Sequence, residues 1–223
     1  MTEFKFIRSF GRVKGRKLTS DKLDLFDNIF PQYQLDLQKL INNIKFNKIN
    51  LEIGFGSGDF IFYNALNNPN QLFIACEVYL NSMTKLLAKL KENPLNNIII
   101  YKNDVRFLLE ELPQNFLDQI FILFPDPWPK KRHHNRRIIN HNLLKMLSHI
   151  TKPQGKLLIA TDHPSYQEYL LQLLSNNQFF TLDPNFQQNC HLEPKFWVKT
   201  KYQEKAIREG RESIFFNLQK NNQ

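Results

Sequence analysis

Short apolar runs alternate with helix-length segments between residues 49 and 161, and this alternation limits the fold more than any other feature of the chain. The runs are rich in apolar residues throughout, which is typical of parallel strands that are buried on both faces. The intervening segments place apolar residues at helical spacing, as at Met83, Leu86, Leu87 and Leu90. The pattern predicts a doubly wound, Rossmann-like α/β fold, with strands at 49–53, 72–76, 98–101, 119–124 and 156–161.

The two ends of the chain depart from this alternation. Residues 1–22 mix aromatic and basic side chains, and we expect them to form a flexible arm in front of one domain, residues 23–223. A helical stretch interrupted at Pro31 is expected from about residue 24 to 44. Aromatic runs at 179–182 and 213–218 predict a C-terminal antiparallel hairpin, which completes a seven-stranded, mostly parallel sheet.

The positive charge of the chain is concentrated in three clusters. The formal net charge is +9, and residues 1–22, 130–137 and 195–211 carry +5, +5 and +4, so the rest of the chain is acidic. Three basic clusters interleaved with aromatic residues favour a polyanionic partner such as nucleic acid over a merely solvated surface.

The chain lacks the signals of a membrane or secreted protein. No apolar run approaches the ~20 residues that span a bilayer, and no apolar core follows the basic N-terminus as in a secretory signal. Organelle transit peptides are also basic, but Glu3 argues against one here. The two cysteines lie far apart in sequence and form no disulfide framework. We therefore expect a cytoplasmic protein.

A glycine-rich turn follows the first predicted strand. Gly54, Gly56 and Gly58 have the spacing GxGxG rather than the GxGxxG of dinucleotide-binding folds, and Glu52 and Asp59 flank them. Two carboxylates are poor partners for a pyrophosphate. They suit a cationic or neutral ligand such as S-adenosylmethionine, although a glycine-rich turn can also be a simple tight connection.

Acidic and amide residues follow the next two strands. Glu77, at the end of the second strand, lies about 20 residues beyond the glycines, where doubly wound folds bind ribose hydroxyls. Asn103 and Asp104 follow the third strand, where an adenine amino group needs an acceptor. Each acid alone could be a helix cap, but their succession at neighbouring strand ends favours one binding site.

The fourth strand runs into a proline-rich loop. Three prolines among residues 125–129 prevent a helix, so Asp126 is expected to be held beside the same crevice. Trp128 is suited to stacking on a base, and the basic run 130–137 to holding phosphates. The histidines and cysteines match no zinc spacing, and we predict no metal site.

The motifs in order resemble the bacterial tRNA (guanine-N7-)-methyltransferases, a class I S-adenosylmethionine-dependent family. The resemblance rests on RSFGRVKGR, LEIGFGSG, ACEV, PDPWPKKRHHNRR, ATDH and TKYQEKAIREG, which span nearly the whole chain. It implies methylation of guanine N7 in the variable loop of tRNA. The partners expected from the whole sequence are tRNA and S-adenosylmethionine, with no membrane and no metal, and monomer and homodimer are both open.

The resemblance also implies roles for individual residues. Asp126 corresponds to the proposed catalytic residue and, with Glu52, Glu77 and Asp104, to the cofactor-binding positions. Gln203 stands where the family usually has Glu, which puts a carboxylate contact there in doubt. Substrate-binding positions are implied at Lys130, Arg132, His133, His134, Asn135, Arg136, Arg137, Asp162, Thr200, Lys201, Tyr202 and Gln203.

Two alternatives stay open at this point. An amino-directed nucleic acid methyltransferase uses a polar-Pro-Pro-aromatic loop, which Pro127 followed by Trp128 disfavours. A non-catalytic RNA-binding module with a relic nucleotide fold is compatible with the basic clusters. Binding of S-adenosylmethionine discriminates the second alternative from an enzyme.

Overall fold

Seven strands form one sheet within residues 15 and 17–221, the part of the chain that the computed structural model describes. The strands are β1 (Lys48–Ile53), β2 (Gln71–Cys76), β3 (Ile98–Tyr101), β4 (Leu117–Leu123), β5 (Thr151–Thr161), β6 (Phe180–Leu182) and β7 (Ile214–Lys220). Their order across the sheet is β3-β2-β1-β4-β5-β7-β6. Strands β1 to β5 pair in parallel, and β7 runs antiparallel to both β5 and β6.

This sheet confirms the predicted Rossmann-like α/β fold and its antiparallel end. The predicted strands match the observed ones closely, except that β5 begins at Thr151, where its start pairs with Leu117 of β4. The two C-terminal strands are neighbours, but residues 183–213 separate them in sequence. They therefore form an antiparallel pair rather than a tight hairpin.

Helices cover both faces of the sheet. They are α1 (Ser20–Asp24), α2 (Phe30–Tyr33), α3 (Leu37–Asn42), α4 (Asp59–Asn67), α5 (Leu80–Glu92), α6 (Val105–Glu111), α7 (His141–Ile150), α8 (Pro164–Ser175), α9 (Phe186–Asn189) and α10 (Lys201–Arg208). Leu72 and Ile74 of β2 join the cluster formed with α3, α6, α7 and α8, whereas Phe73 and Ala75 join the cluster formed with α4, α5 and the N-terminal helices. Alternate residues of a strand point to opposite faces, so both faces of β2 are buried.

The N-terminal helical segment does not break at Pro31 as predicted. A π-helix, Leu25–Ile29, joins α1 to α2, and Pro31 lies in the first turn of α2. The helical segment runs without a break from Ser20 to Tyr33, so Pro31 removes one backbone hydrogen bond where the π-helix ends but does not end the helix. The break falls instead at Gln34, which bridges to Ile100 of β3. Most of the predicted arm, residues 1–22, lies outside the described residues.

No helix in the described part of the chain is long and apolar enough to cross a membrane.

Candidate functional site

A cavity of about 480 Å³ opens at the carboxyl ends of β1 to β4. Parallel strands present their carboxyl ends at the same edge of a sheet, so side chains that are far apart in sequence meet there. Almost all the residues predicted to bind a cofactor line this cavity: Glu52, Gly54, Gly56, Glu77, Asn103, Asp104 and Asp126. Gly58 is the one that does not.

The glycine-rich turn connects β1 to α4 in a conformation that other residues rarely adopt. Gly54, Gly56 and Gly58 have φ angles of 75°, 55° and 71°. A Cβ atom on Gly58 would also lie 2.9 Å from the Cβ of Leu86 on α5. Gly58 is therefore needed for the backbone turn and for close packing of the helix, while the other two glycines expose backbone to the cavity.

The turn holds Glu77 through its backbone. The N–H of Gly56 donates to Glu77 Oε2 at 3.0 Å, and the N–H groups of Val78 and Tyr79 donate to Oε1 at 2.9 and 3.0 Å. Burial raises the pKa of the Glu77 carboxyl, although these three bonds oppose the rise. These three bonds hold the Glu77 carboxylate in one orientation at the cavity wall.

Glu52 is the most strongly perturbed acid of the site. Its side chain is 3% exposed, and Oε2 has no hydrogen-bond partner among the described residues. Burial, together with the nearby carboxyls of Glu77 and Asp59, raises its pKa from 4.5 to about 8. A buried carboxyl oxygen without a partner is costly, and a cationic ligand in the cavity relieves that cost. The site therefore fits the positively charged S-adenosylmethionine.

Asp59, the second acid predicted to attract a cation, already has one. Lys89 Nζ lies 2.6 Å from Asp59 Oδ1, and Ser57 donates to the other carboxyl oxygen. Burial alone would raise the pKa of Asp59, but these hydrogen bonds and the charge of Lys89 lower it. Of these two acids, Asp59 is paired with a cation, whereas one buried oxygen of Glu52 has no partner among the described residues.

Asp104 both caps a helix and lines the cavity. Its Oδ1 accepts from the backbone N–H of Arg106, and the Arg106 guanidinium binds the carboxylate at 2.9 and 2.6 Å. The sequence reasoning missed Arg106, since arginines near a helix start are ordinary surface residues. Asn103 orients the same turn, because its side chain accepts from the N–H of Asp104 at 2.8 Å.

The proline-rich loop after β4 carries Asp126 at the cavity rim. Asp126 is exposed and accepts no hydrogen bond from the described residues, yet partial desolvation by its surroundings raises the pKa of its carboxyl. Phe124 and Trp128, on either side, have φ angles of 50° and 44°. Residues other than glycine seldom adopt such angles, and they are concentrated at functional sites.

The basic run after this loop divides into exposed and buried residues. Residues Lys131–Arg136 form a 3₁₀ helix, in which the Arg136 guanidinium lies 5.0 Å from the Trp128 ring centre and His133 meets the same ring edge-on. Exposed or half-exposed members of the predicted substrate-binding set are Lys130, Arg132, His133, His134, Asn135 and Arg136.

Arg137, the last residue of the basic run, is buried at the wall of the cavity. Only 2% of its surface is accessible, and its guanidinium lies over the rings of Tyr166 and Tyr169. This placement favours a structural role for Arg137, and its contact with substrate stays a prediction.

The C-terminal segment adds Thr200 and Tyr202 to the cavity wall. Thr200 caps α10 by accepting from the N–H of Gln203 at 3.2 Å, and Lys201 is exposed beside it. Asp162, after β5, is held by Arg211 at 2.7 Å.

Gln203 does not line the cavity and is 3% exposed, which favours a structural role, and its contact with substrate stays a prediction. Its amide accepts from the Trp197 indole at 2.6 Å and donates to Glu193 at 2.7 Å. Trp197 in turn packs on Phe60 and Phe215 in a separate aromatic cluster. Neither Trp197 nor Glu193 was singled out from the sequence, because no motif contains them.

The described residues bring no group of three His, Cys, Asp or Glu side chains together in a way that could hold a metal ion.

The chain is similar to known methyltransferases. Residues 46–216 match a family whose description reads "Putative methyltransferase". A tRNA (guanine-N(7)-)-methyltransferase of Agrobacterium fabrum is 36% identical over 216 residues, which span 94% of this chain and 93% of that protein. A bifunctional methyltransferase of Rickettsia felis is 38% identical over 213 residues, which span 95% of this chain and 40% of that protein.

Solved structures share the fold at lower identity. An antibiotic-related methyltransferase aligns with a TM-score of 0.57 and 20% identity, over 85% of this chain and 97% of its own.

Proposed function

The chain belongs to the tRNA (guanine-N7-)-methyltransferase family, and from this we propose that it transfers a methyl group from S-adenosylmethionine to N7 of a guanine in the variable loop of tRNA. The observation that carries the proposal is the partnerless, buried Glu52 oxygen in a cavity that also exposes Asp126. A buried carboxyl oxygen without a partner destabilises the fold, so its presence in a cavity favours a binding site over a packing defect.

The chain's own residues bind and orient the cofactor. Glu52 meets positive charge, Glu77 accepts from ribose hydroxyls with the lone pairs that its backbone donors leave free, and the Asn103–Asp104 turn faces the adenine. When bound, S-adenosylmethionine supplies an electrophilic methyl group on a sulfonium centre. The absence of a phosphate in this ligand explains why the turn needs no cationic cradle.

The chemistry requires alignment more than proton transfer. Guanine N7 carries a lone pair and no proton at neutral pH, so no strong general base is needed. Alignment of the two reacting atoms contributes roughly 7 to 11 kcal/mol in favourable intramolecular systems. The purine gains positive charge as it is methylated, and the Asp126 carboxylate both stabilises that charge and accepts from the N1 and N2 donors of the base.

The basic surface selects the tRNA by its shape. Lys130, Arg132 and Arg136 lie beside the loop that carries Asp126, so phosphates bound there bring a flipped guanine toward the cavity. We expect the arm, residues 1–22, to extend this contact. Deletion of residues 1–16 should weaken tRNA binding and its salt dependence while leaving the melting temperature unchanged; unchanged tRNA affinity would exclude that role.

The described cysteines, Cys76 and Cys190, are both buried and unpaired, which is consistent with a reducing compartment, and we propose that the protein acts in the cytoplasm.

The proposal is tested by transfer of labelled methyl groups into bulk tRNA, followed by mapping of the modified nucleotide. The wild-type protein should produce 7-methylguanosine. Asp126→Asn should lose most of the turnover while still binding S-adenosylmethionine in calorimetry. Asp27→Asn, at an exposed position outside the cavity, is the matched control and should be fully active. Absence of cofactor binding by the wild type would favour the relic RNA-binding module instead.

A further inference from the structure

A buried arginine lies behind the loop that carries Asp126. The Arg137 guanidinium carbon lies 5.0 Å from the ring centre of Tyr166 and 4.7 Å from that of Tyr169, and the two rings of α8 are themselves stacked. No carboxylate among the described residues forms an ion pair with Arg137. Its charge is balanced by ring faces and by hydrogen-bond acceptors, an arrangement that suits guanidinium far better than ammonium.

The hydrogen bonds of Arg137 tie this loop to the rest of the domain. Its Nε–H donates to the carbonyl oxygen of Pro127 at 2.9 Å, and Pro127 directly follows Asp126. Its Nη2 lies 3.2 Å from His134 Nε2 and 3.4 Å from Ser165 Oγ. One side chain thus connects the middle of the loop, the 3₁₀ helix and the start of α8.

The loop needs such support because its backbone is unfavourable on both sides of Asp126. Phe124 and Trp128 both have positive φ angles, which side chains with a Cβ atom disfavour. Unfavourable conformations persist only where the surrounding structure holds them. The bond to Pro127 lies between these two residues, next to Asp126.

We propose that Arg137 is a positioning residue that fixes the Pro125–Pro129 loop, and so holds Asp126 at the cavity for methyl transfer. This rests on the proposed function. It differs from the phosphate contact that the sequence resemblance implies, because a positioning residue affects the reacting geometry rather than the affinity for tRNA.

The experiment compares Arg137→Gln and Arg137→Lys with Arg132→Ala, which removes an exposed arginine of the same basic run. Turnover at saturating tRNA and S-adenosylmethionine, tRNA affinity at several salt concentrations, and cofactor affinity are measured for each. Displacement of a reacting group by about 1 Å can cost about 10²-fold in rate. We expect Arg137→Gln to lower kcat by about tenfold to 10²-fold, with both affinities within about twofold of wild type, and Arg137→Lys to recover part of the loss.

Arg132→Ala should show a different pattern, namely weaker tRNA binding and a salt slope reduced by about one unit. The proposal is overturned if Arg137→Gln behaves like Arg132→Ala, or if neither kcat nor affinity changes. Should Arg137→Gln unfold at the assay temperature, Tyr169→Leu removes one ring face from the guanidinium and leaves the loop sequence intact. It should lower kcat alone, and an unchanged kcat would equally refute the proposal. An inactive wild-type protein would instead refute the proposed function.

Discussion

The stability of the Glu52→Gln variant should exceed that of wild type by an amount that grows as the pH rises. Burial raises the pKa of this carboxyl from 4.5 to about 8. Between these two values the folded protein keeps the proton, whereas the unfolded chain releases it. Rising pH therefore favours the unfolded state of the wild type.

The size of the effect follows from the shift of the pKa. Each unit is worth about 1.36 kcal/mol, so Glu52 removes about 3 kcal/mol of wild-type stability between about pH 5 and pH 7.5. The loss levels off above the folded-state pKa of about 8, where both states are ionised. Glutamine has nearly the same shape and does not titrate, so Glu52→Gln escapes this loss.

The assay is urea unfolding of both proteins, free of cofactor, at a series of pH values from about 5 to 8.5. The quantity of interest is the difference between their unfolding free energies, in which titrating groups remote from the cavity cancel. We expect this difference to rise in favour of the variant by about 3 kcal/mol from about pH 5 to pH 7.5. If the difference in unfolding free energy does not change over this range, Glu52 is solvated or paired in the folded protein. That result would refute the claim that the cavity holds a buried carboxyl without a partner.

Three further predictions follow from the same contacts. Gly58→Ala should cost about 2 kcal/mol or more in chemical denaturation, because the backbone has a φ of 71° and the new methyl meets Leu86; an unchanged midpoint would contradict this. Gln203→Glu should lower the melting temperature, because it places a second carboxylate against that of Glu193. The double variant Glu193→Gln, Gln203→Glu should restore most of the loss, since the amide is then at position 193 and donates to the carboxylate at position 203; additive losses would contradict this. Affinity for S-adenosylmethionine should increase as the pH approaches 8, because Glu52 must lose its proton on binding. Calorimetry should therefore give a binding enthalpy that depends on the buffer, and a buffer-independent enthalpy would refute the link between binding and proton release.

The fold was predictable because its signals are local. A parallel sheet covered on both faces needs strands that are apolar throughout, and β3 was located to the residue from its composition alone. The acids of the cavity were also predictable, since each follows a strand and the topology brings strand ends together. Glu52 and Glu77 are examples: their places in the sheet follow from sequence order.

The charge and contacts of those side chains were not predictable. Asp59 looked like a cation-binding acid, but Lys89, which is 30 residues away, already neutralises it. Arg137 belongs to a basic run whose sequence is typical of a solvated surface. Its burial against the Tyr169 ring of α8 is visible only in the tertiary structure.

The sequence by itself therefore determined which strands form, in what order they place the glycines and acids, and to which family the chain belongs. Only the tertiary structure decided which of those groups keep a proton, which are already paired and which face the cavity. The physical reason is that patterns of apolar and polar residues act over a few neighbours, whereas desolvation and ion pairing depend on side chains brought together from distant parts of the chain.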